Sequence, residues 1–83
     1  MIFNVFDYGA KGDGRTNDAA AIQKAIDECS DKGGTVLLPG GYTFRSGSIV
    51  LKSNTELHLE NGAVLKASDD MEDFNLFSEA RQD

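Results

Sequence analysis

The spacing of apolar residues changes character along the chain. From Ile2 to Phe6, Phe3 and Val5 fall on one side and Asn4 on the other, the alternation of a short strand that ends at Asp7-Tyr8-Gly9. A polar, glycine-rich stretch, "GAKGDGRTND", follows and reads as a loop. From Asp18 the period becomes helical: Ala19, Ile22, Ile26 and Cys29 recur at intervals of three and four, while Gln23, Lys24, Asp27 and Glu28 take the opposite face. Thr16 or Asn17 is positioned to cap this helix, and Asp18 suits the positive end of its dipole. Lys32-Gly33-Gly34 ends it, with a cation near the last carbonyls and a glycine free to take positive φ.

Beyond Gly34 the pattern shortens into strand-like pieces: "TVLLP", "YTFR", "SIVL", "TELHLE" and "AVLKA". Laid on itself at an offset of 21 residues, this region aligns Val36 with Leu57, Leu38 with Leu59, Gly41 with Gly62, Phe44 with Leu65 and Arg45 with Lys66. The turn dipeptides Gly40-Gly41 and Asn61-Gly62 coincide as well. A repeat of this length predicts solenoid rungs in which Val36, Leu38, Leu57, Leu59, Phe44 and Leu65 point inward and stack on their counterparts. An open end of such a stack exposes apolar side chains and strand edges, so the amphipathic helix is expected to close it through Ile22, Ile26 and Cys29.

These expectations divide the chain into residues 1–34 (strand, loop and capping helix), 35–68 (first rungs) and 69–83, an acidic tail. Within the tail, Met71, Phe74 and Phe77 recur at intervals of three, a spacing compatible with a short amphipathic turn. No second helix signal of N-terminal quality follows the last strand-like piece, so the rung ending near Ala67 is expected to carry another above it. The chain then reads as the beginning of a longer protein.

Length and composition narrow the partners. A single domain of 83 residues buries only about 60–65% of the surface its unfolded form exposes, which leaves a thin stability margin. The formal net charge of −6, with no run of Lys or Arg, disfavours nucleic acid and anionic membrane. Acidic residues gather in the helix region (Asp18, Asp27, Glu28, Asp31) and in the tail (Asp69, Asp70, Glu72, Asp73, Glu79, Asp83), and both groups read as solvated faces. The lone Cys29 excludes an internal disulfide and a cysteine-rich zinc site. "MIFNVFDYG" lacks the basic segment and apolar core of a leader, so the sequence as written reads as cytoplasmic, or as secreted if a leader has been removed.

No constellation of reactive side chains emerges. Gly9, Gly12 and Gly14 precede a helix, but neither Gly-Lys-Ser/Thr nor G-x-G-x-x-G is present, and Asp13 and Asp18 would face a bound anion. Asp13, Asn17 and Asp18 are oxygen donors without the D-x-D-x-D-G series of a calcium loop. Asp69 and Asp70 could act as an acid–base pair only in a special turn, because neighbours on an extended strand point apart. His58, between Leu57 and Leu59, falls on the outer face, and Cys29 on the apolar helix face is expected to be a buried, inert thiol. The expectation is therefore no catalytic, cofactor-binding or metal-binding residue in this chain.

"FDYGAKGDGRTNDAAAIQKAID", continued by "GGTVLLPGGYTFRSGSIVLKSNTELHLENGAVLKAS", resembles the N-terminal region of the polygalacturonase family of pectin-degrading glycoside hydrolases. The resemblance covers about residues 3 to 70; its opening motif is shared with tailspikes and other pectate-lyase-like proteins, whereas the stretch from Tyr42 onward is more specific to the hydrolases. It implies a mainly β fold, a right-handed parallel β-helix closed at its N-terminal end by an amphipathic helix. It also implies hydrolysis of pectic polysaccharide, typically with inversion, by aspartates acting as general acid and base. Those aspartates belong to Asn-Thr-Asp and Asp-Asp motifs of later rungs, which Gly-His-Gly and a following Arg-Ile-Lys accompany. Thr16-Asn17-Asp18 has another order, Asp69-Asp70 precedes the rungs concerned, and neither of the last two motifs occurs here. The expected role is a scaffold for a pectin hydrolase, with pectic polysaccharide as partner of the full-length protein. The alternative is a structural or binding β-helix module that self-associates through an exposed sheet end.

Overall fold

Six short strands and one helix follow one another in the computed structural model, which describes residues 1–68. They are β1 (Ile2–Asn4), β2 (Asp13–Asn17), α1 (Ala19–Lys32), β3 (Gly34–Leu38), β4 (Thr43–Ser46), β5 (Thr55–Leu59) and β6 (Val64–Ala67). All pairing is parallel, in two three-stranded sheets of order β1-β3-β5 and β2-β4-β6. The tail residues Met71, Phe74 and Phe77 and the pair Asp69-Asp70 lie outside the described residues.

The internal likeness at an offset of 21 residues is the register of both sheets. Val36 pairs with Leu57 and Leu38 with Leu59 in one sheet, Phe44 with Leu65 and Arg45 with Lys66 in the other. The two turns repeat as well: Gly41 and Gly62 each have φ +87°. Backbone bonds tie one strand-turn-strand unit to the next, Glu60 N–H to the Leu38 carbonyl and Val64 N–H to the Tyr42 carbonyl, each at 3.0 Å. Gly40 lies directly beneath the carbonyl of Asn61, and a Cβ there would collide with that oxygen. The first unit can therefore lie this close to the second only with glycine at position 40.

The core lies where the sheets meet the helix. Val36, Leu38 and Phe44 are fully buried with Val5 and the helical residues Ile22, Ala25, Ile26 and Cys29. Helix α1 packs on β1, on β3 and on the 3₁₀ turn Val5–Tyr8, placing Ile22, Ile26 and Cys29 as their spacing predicts. Complete burial of Ile22 and Ile26 contributes roughly 1.5–3 kcal/mol for each of them. Lys32, in the last turn, pairs with Glu28 at 3.1 Å, and the N–H of Gly33 closes the helix on the Cys29 carbonyl at 2.6 Å. Among the described residues, Leu57 and Leu65 are only half-buried, and Leu59, expected inward, is 38% exposed.

Four local expectations need correction. The first strand ends at Asn4 rather than Phe6, because the Asn4 Oδ1 accepts the Phe6 N–H at 2.9 Å and turns the backbone into the 3₁₀ segment. Residues Asp13–Asn17, expected as loop, form β2 beside β4; pairing overrides a sequence of poor strand propensity, at the cost of an irregular register between Asp13 and Asn17. Ser48–Leu51, expected as a strand, is irregular, and within it the Gln23 carboxamide takes both backbone groups of Val50. Gln23 Oε1 accepts the Val50 N–H at 2.7 Å and Gln23 Nε2 donates to the Val50 carbonyl at 3.1 Å. The helix itself begins at Ala19, with Asp18 at the capping position but its carboxylate directed elsewhere.

Candidate functional site

That carboxylate organises the opening loop. Asp18, grouped from the sequence with the solvated acids, is only 3% exposed, and its oxygens accept the N–H groups of Lys11 and Gly12, both at 3.0 Å. A buried carboxylate is tolerable when charge-assisted hydrogen bonds replace its hydration, and these two provide that. The Asp18 N–H donates to the Arg45 carbonyl at 2.7 Å and its own carbonyl takes the first helical bond, from Ile22, at 3.0 Å. Asp18 thus joins loop, helix and second sheet. Two amides that could have cradled an external anion are already committed to an internal one. Gly12 has φ +63°, and a Cβ there would stand 3.0 Å from the Phe6 ring and 3.2 Å from the Tyr42 Cβ, so the loop is held against an aromatic wall. In that wall the Phe6 and Tyr42 rings meet edge-on at 4.8 Å.

The other oxygen donors of the loop are engaged in the same way. Asp13 accepts the N–H groups of Arg15 and Thr16 at 2.8 Å each and the Thr16 hydroxyl at 2.9 Å. These bonds, led by the Thr16 N–H, hold its carboxyl at about 2, below the usual 3.8. Asn17 Oδ1 accepts the Ala19 N–H at 3.1 Å and the Gly47 N–H at 3.0 Å, so Asn17, one residue before the capping position, holds the first helical amide and ties it to the segment leaving β4. Among the described residues, no three His, Cys, Asp or Glu side chains are grouped to hold a metal ion.

The remaining sequence candidates stand apart from one another. His58 is exposed on the outer face of β5, in register with Leu37. Cys29 is fully buried with its Sγ 3.9 Å from the Asn54 carbonyl oxygen. Burial, reinforced by the charge of Glu28, pushes the Tyr8 phenol above its usual range. On the helix, Asp27 is held below the usual carboxylate range, chiefly by the Lys52 ammonium at 2.8 Å and then by Gln23. A shallow depression of about 270 Å³ is lined by Ser46, Gly47, Ile49, Leu65, Lys66 and Ala67. It contains no carboxylate, imidazole or thiol, and its Ser46 hydroxyl donates to the Gly47 carbonyl at 2.9 Å. Sequence reasoning missed the burial of Asp18 and the clamp made by Gln23. The first had one clue, an acid immediately before a helical pattern, where carboxylates accept backbone N–H groups; the second had none.

Comparison with known proteins places these features in a family. The model described as rhamnogalacturonase A/epimerase, pectate lyase-like, matches residues 2–82. The exo-poly-alpha-D-galacturonosidase of Dickeya chrysanthemi is 45% identical over 73 residues, an alignment covering 88% of this chain and 12% of that enzyme. The structure of the family 28 exopolygalacturonase of Yersinia enterocolitica superposes with a TM-score of 0.81 at 44% identity, over 88% of this chain and 12% of the other. PfbA, a surface adhesin of Streptococcus pneumoniae, superposes with a TM-score of 0.73 at 40% identity, over 78% of this chain and 15% of the adhesin. The chain therefore spans about an eighth of the length of the galacturonan-degrading relatives it matches. With the match running through nearly the whole sequence, the chain belongs to the rhamnogalacturonase A/epimerase, pectate lyase-like family, mainly β in structure and similar to polygalacturonases.

Proposed function

We propose that these residues are the N-terminal cap and first rungs of a right-handed parallel β-helix belonging to a glycoside hydrolase of pectic polysaccharide, and that their role is structural. The observation that carries this reading is the parallel, in-register pairing at an offset of 21 residues in both sheets, with α1 packed across β1 and β3 at one end. Units that pair in this manner bury their apolar faces against the units before and after them, and the end of such a stack needs a cover. The chemistry of the opening motif supports the same reading: Asp13, Asn17 and Asp18 bond nearby backbone N–H groups. Inverting hydrolysis needs two carboxyl groups about 6.5–9.5 Å apart across a cleft. The depression beside Ser46 and Lys66 is lined by no carboxylate. The purified 83-residue protein is expected to release no reducing ends from polygalacturonate, at any enzyme concentration at which it stays folded; reproducible release, retained through repurification, would refute the structural role.

A second reading, a β-helix module that binds or assembles without hydrolysis, draws on the likeness to a surface adhesin. It differs in an observable way, because such a module would sediment as a defined oligomer or retain a ligand on its own. A protein that is monomeric and does not bind oligogalacturonate in calorimetry favours the cap.

A further inference from the structure

The turn between β5 and β6 contains Asn61 followed by Gly62. We propose that Asn61 is a site of spontaneous deamidation in the folded protein, yielding a mixture of aspartate and isoaspartate. In this step the Gly62 backbone nitrogen attacks the Asn61 Cγ. A C–N bond forms, closing a succinimide, while the bond from Cγ to Nδ2 breaks and ammonia leaves with the proton from the Gly62 amide. Water then opens the ring at either carbonyl. The reaction needs an approachable Cγ, a backbone able to bring the next nitrogen onto it, and no side chain on the following residue to block the path.

Asn61 and Gly62 are both exposed, and the turn is closed by a backbone bond from Ala63 N–H to the Glu60 carbonyl at 2.8 Å, which does not involve the Gly62 nitrogen. Glycine also gives the backbone its widest choice of conformations. The other described asparagines differ in ways that protect them. Asn4 and Asn17 have Oδ1 engaged by backbone N–H groups, Asn4 precedes the β-branched Val5, and Asn54 precedes the β-branched Thr55. Asp13-Gly14, the parallel case for aspartate isomerisation, has its carboxylate fixed by three hydrogen bonds.

The product matters because of where this turn lies. The Asn61 carbonyl sits against Gly40 in the preceding turn, where Glu60 Oε1 also accepts the Gly40 N–H at 2.9 Å. An isoaspartate lengthens the backbone by a methylene at that contact and adds a negative charge beside Glu60. The pairing of β6 with β4, entered through Val64 N–H to the Tyr42 carbonyl, is expected to loosen.

The test is to incubate the folded 83-residue protein in mildly alkaline buffer and follow each asparagine by peptide mapping. Asn61 is expected to convert about an order of magnitude faster than Asn4, Asn17 or Asn54, with isoaspartate among its products, and Asn61→Gln should remove that conversion while leaving the circular dichroism spectrum unchanged. Amide exchange at Val64 should be faster in the converted fraction than in the unconverted one. Retention of the Asn61 amide over a period in which the denatured protein deamidates would overturn the proposal, as would conversion of all the asparagines at one rate.

Discussion

Asp13 and Asp18 stand at the two ends of the β2 segment, and their surroundings separate two uses of a carboxylate. Asp18 is buried and holds the Lys11 and Gly12 amides, which gives the glycine-rich loop one shape; Asp13 is exposed and closes a local turn through Thr16 and Arg15. The turn makes a pH prediction. The folded-state value of Asp13, about 2, lies below the 3.8 of an unperturbed carboxyl, so ionisation favours the folded state. Its contribution is fully present above the unperturbed value and is lost as pH falls through about 2. A carbon-detected NMR titration should place the Asp13 midpoint near 2, and Thr16→Ala, which deletes the hydroxyl donor but leaves both N–H groups, should move it upward. A midpoint at the ordinary value in the wild-type protein would show that the turn does not persist in solution.

At the scale of elements, α1 presents two kinds of attachment whose strengths should differ. Ile26 is fully buried between sheet and turn, and Ile26→Ala leaves a cavity that costs about 2–4 kcal/mol. Gln23 clamps Val50 from a solvent-facing position, so Gln23→Ala is expected to cost about 1 kcal/mol, felt mainly in the segment it holds. Urea unfolding ranks the two variants, and equal losses would mean that the helix is not held by its apolar face. The same contrast explains what the sequence disclosed. Burial by α1 follows from periodic spacing, which Ile22, Ile26 and Cys29 carry openly, and the in-register partners of β3 to β6 follow from a repeat. By contrast, β2 owes its conformation to a neighbour distant in sequence, and the irregular segment Ser48–Leu51 is held at Val50 by a carboxamide on α1. Neither outcome is encoded by local propensity. Within the opening loop, the burial of Asp18 required knowing that Arg45 and the Lys11–Gly12 backbone converge on it.

Across the whole molecule, the two sheets grade from a covered side to a less covered one. The central strands β3 and β4 have a partner on each side and carry Val36, Leu38 and Phe44 at zero exposure. Among the described residues, β5 and β6 have a strand on one side only, and Leu59 and Val64 are 38% and 49% exposed. Local opening free energy follows burial and the number of bonds that must break together, so it should fall along the same direction. Native-state hydrogen exchange is expected to show the slowest amides in β3, β4 and the buried face of α1, with faster exchange in β5 and β6. The protein is small enough that all of these amides share a modest global limit, which makes the comparison one of sub-global openings near that limit. Adding denaturant should merge α1, β3 and β4 into one isotherm while β5 and β6 remain lower. Uniform protection through all six strands would instead mean that the second strand-turn-strand unit is held as firmly as the first. The half-exposed Leu57 and Leu65 would then have to be covered by contacts beyond the described residues, and stability would not be graded by distance from the helix.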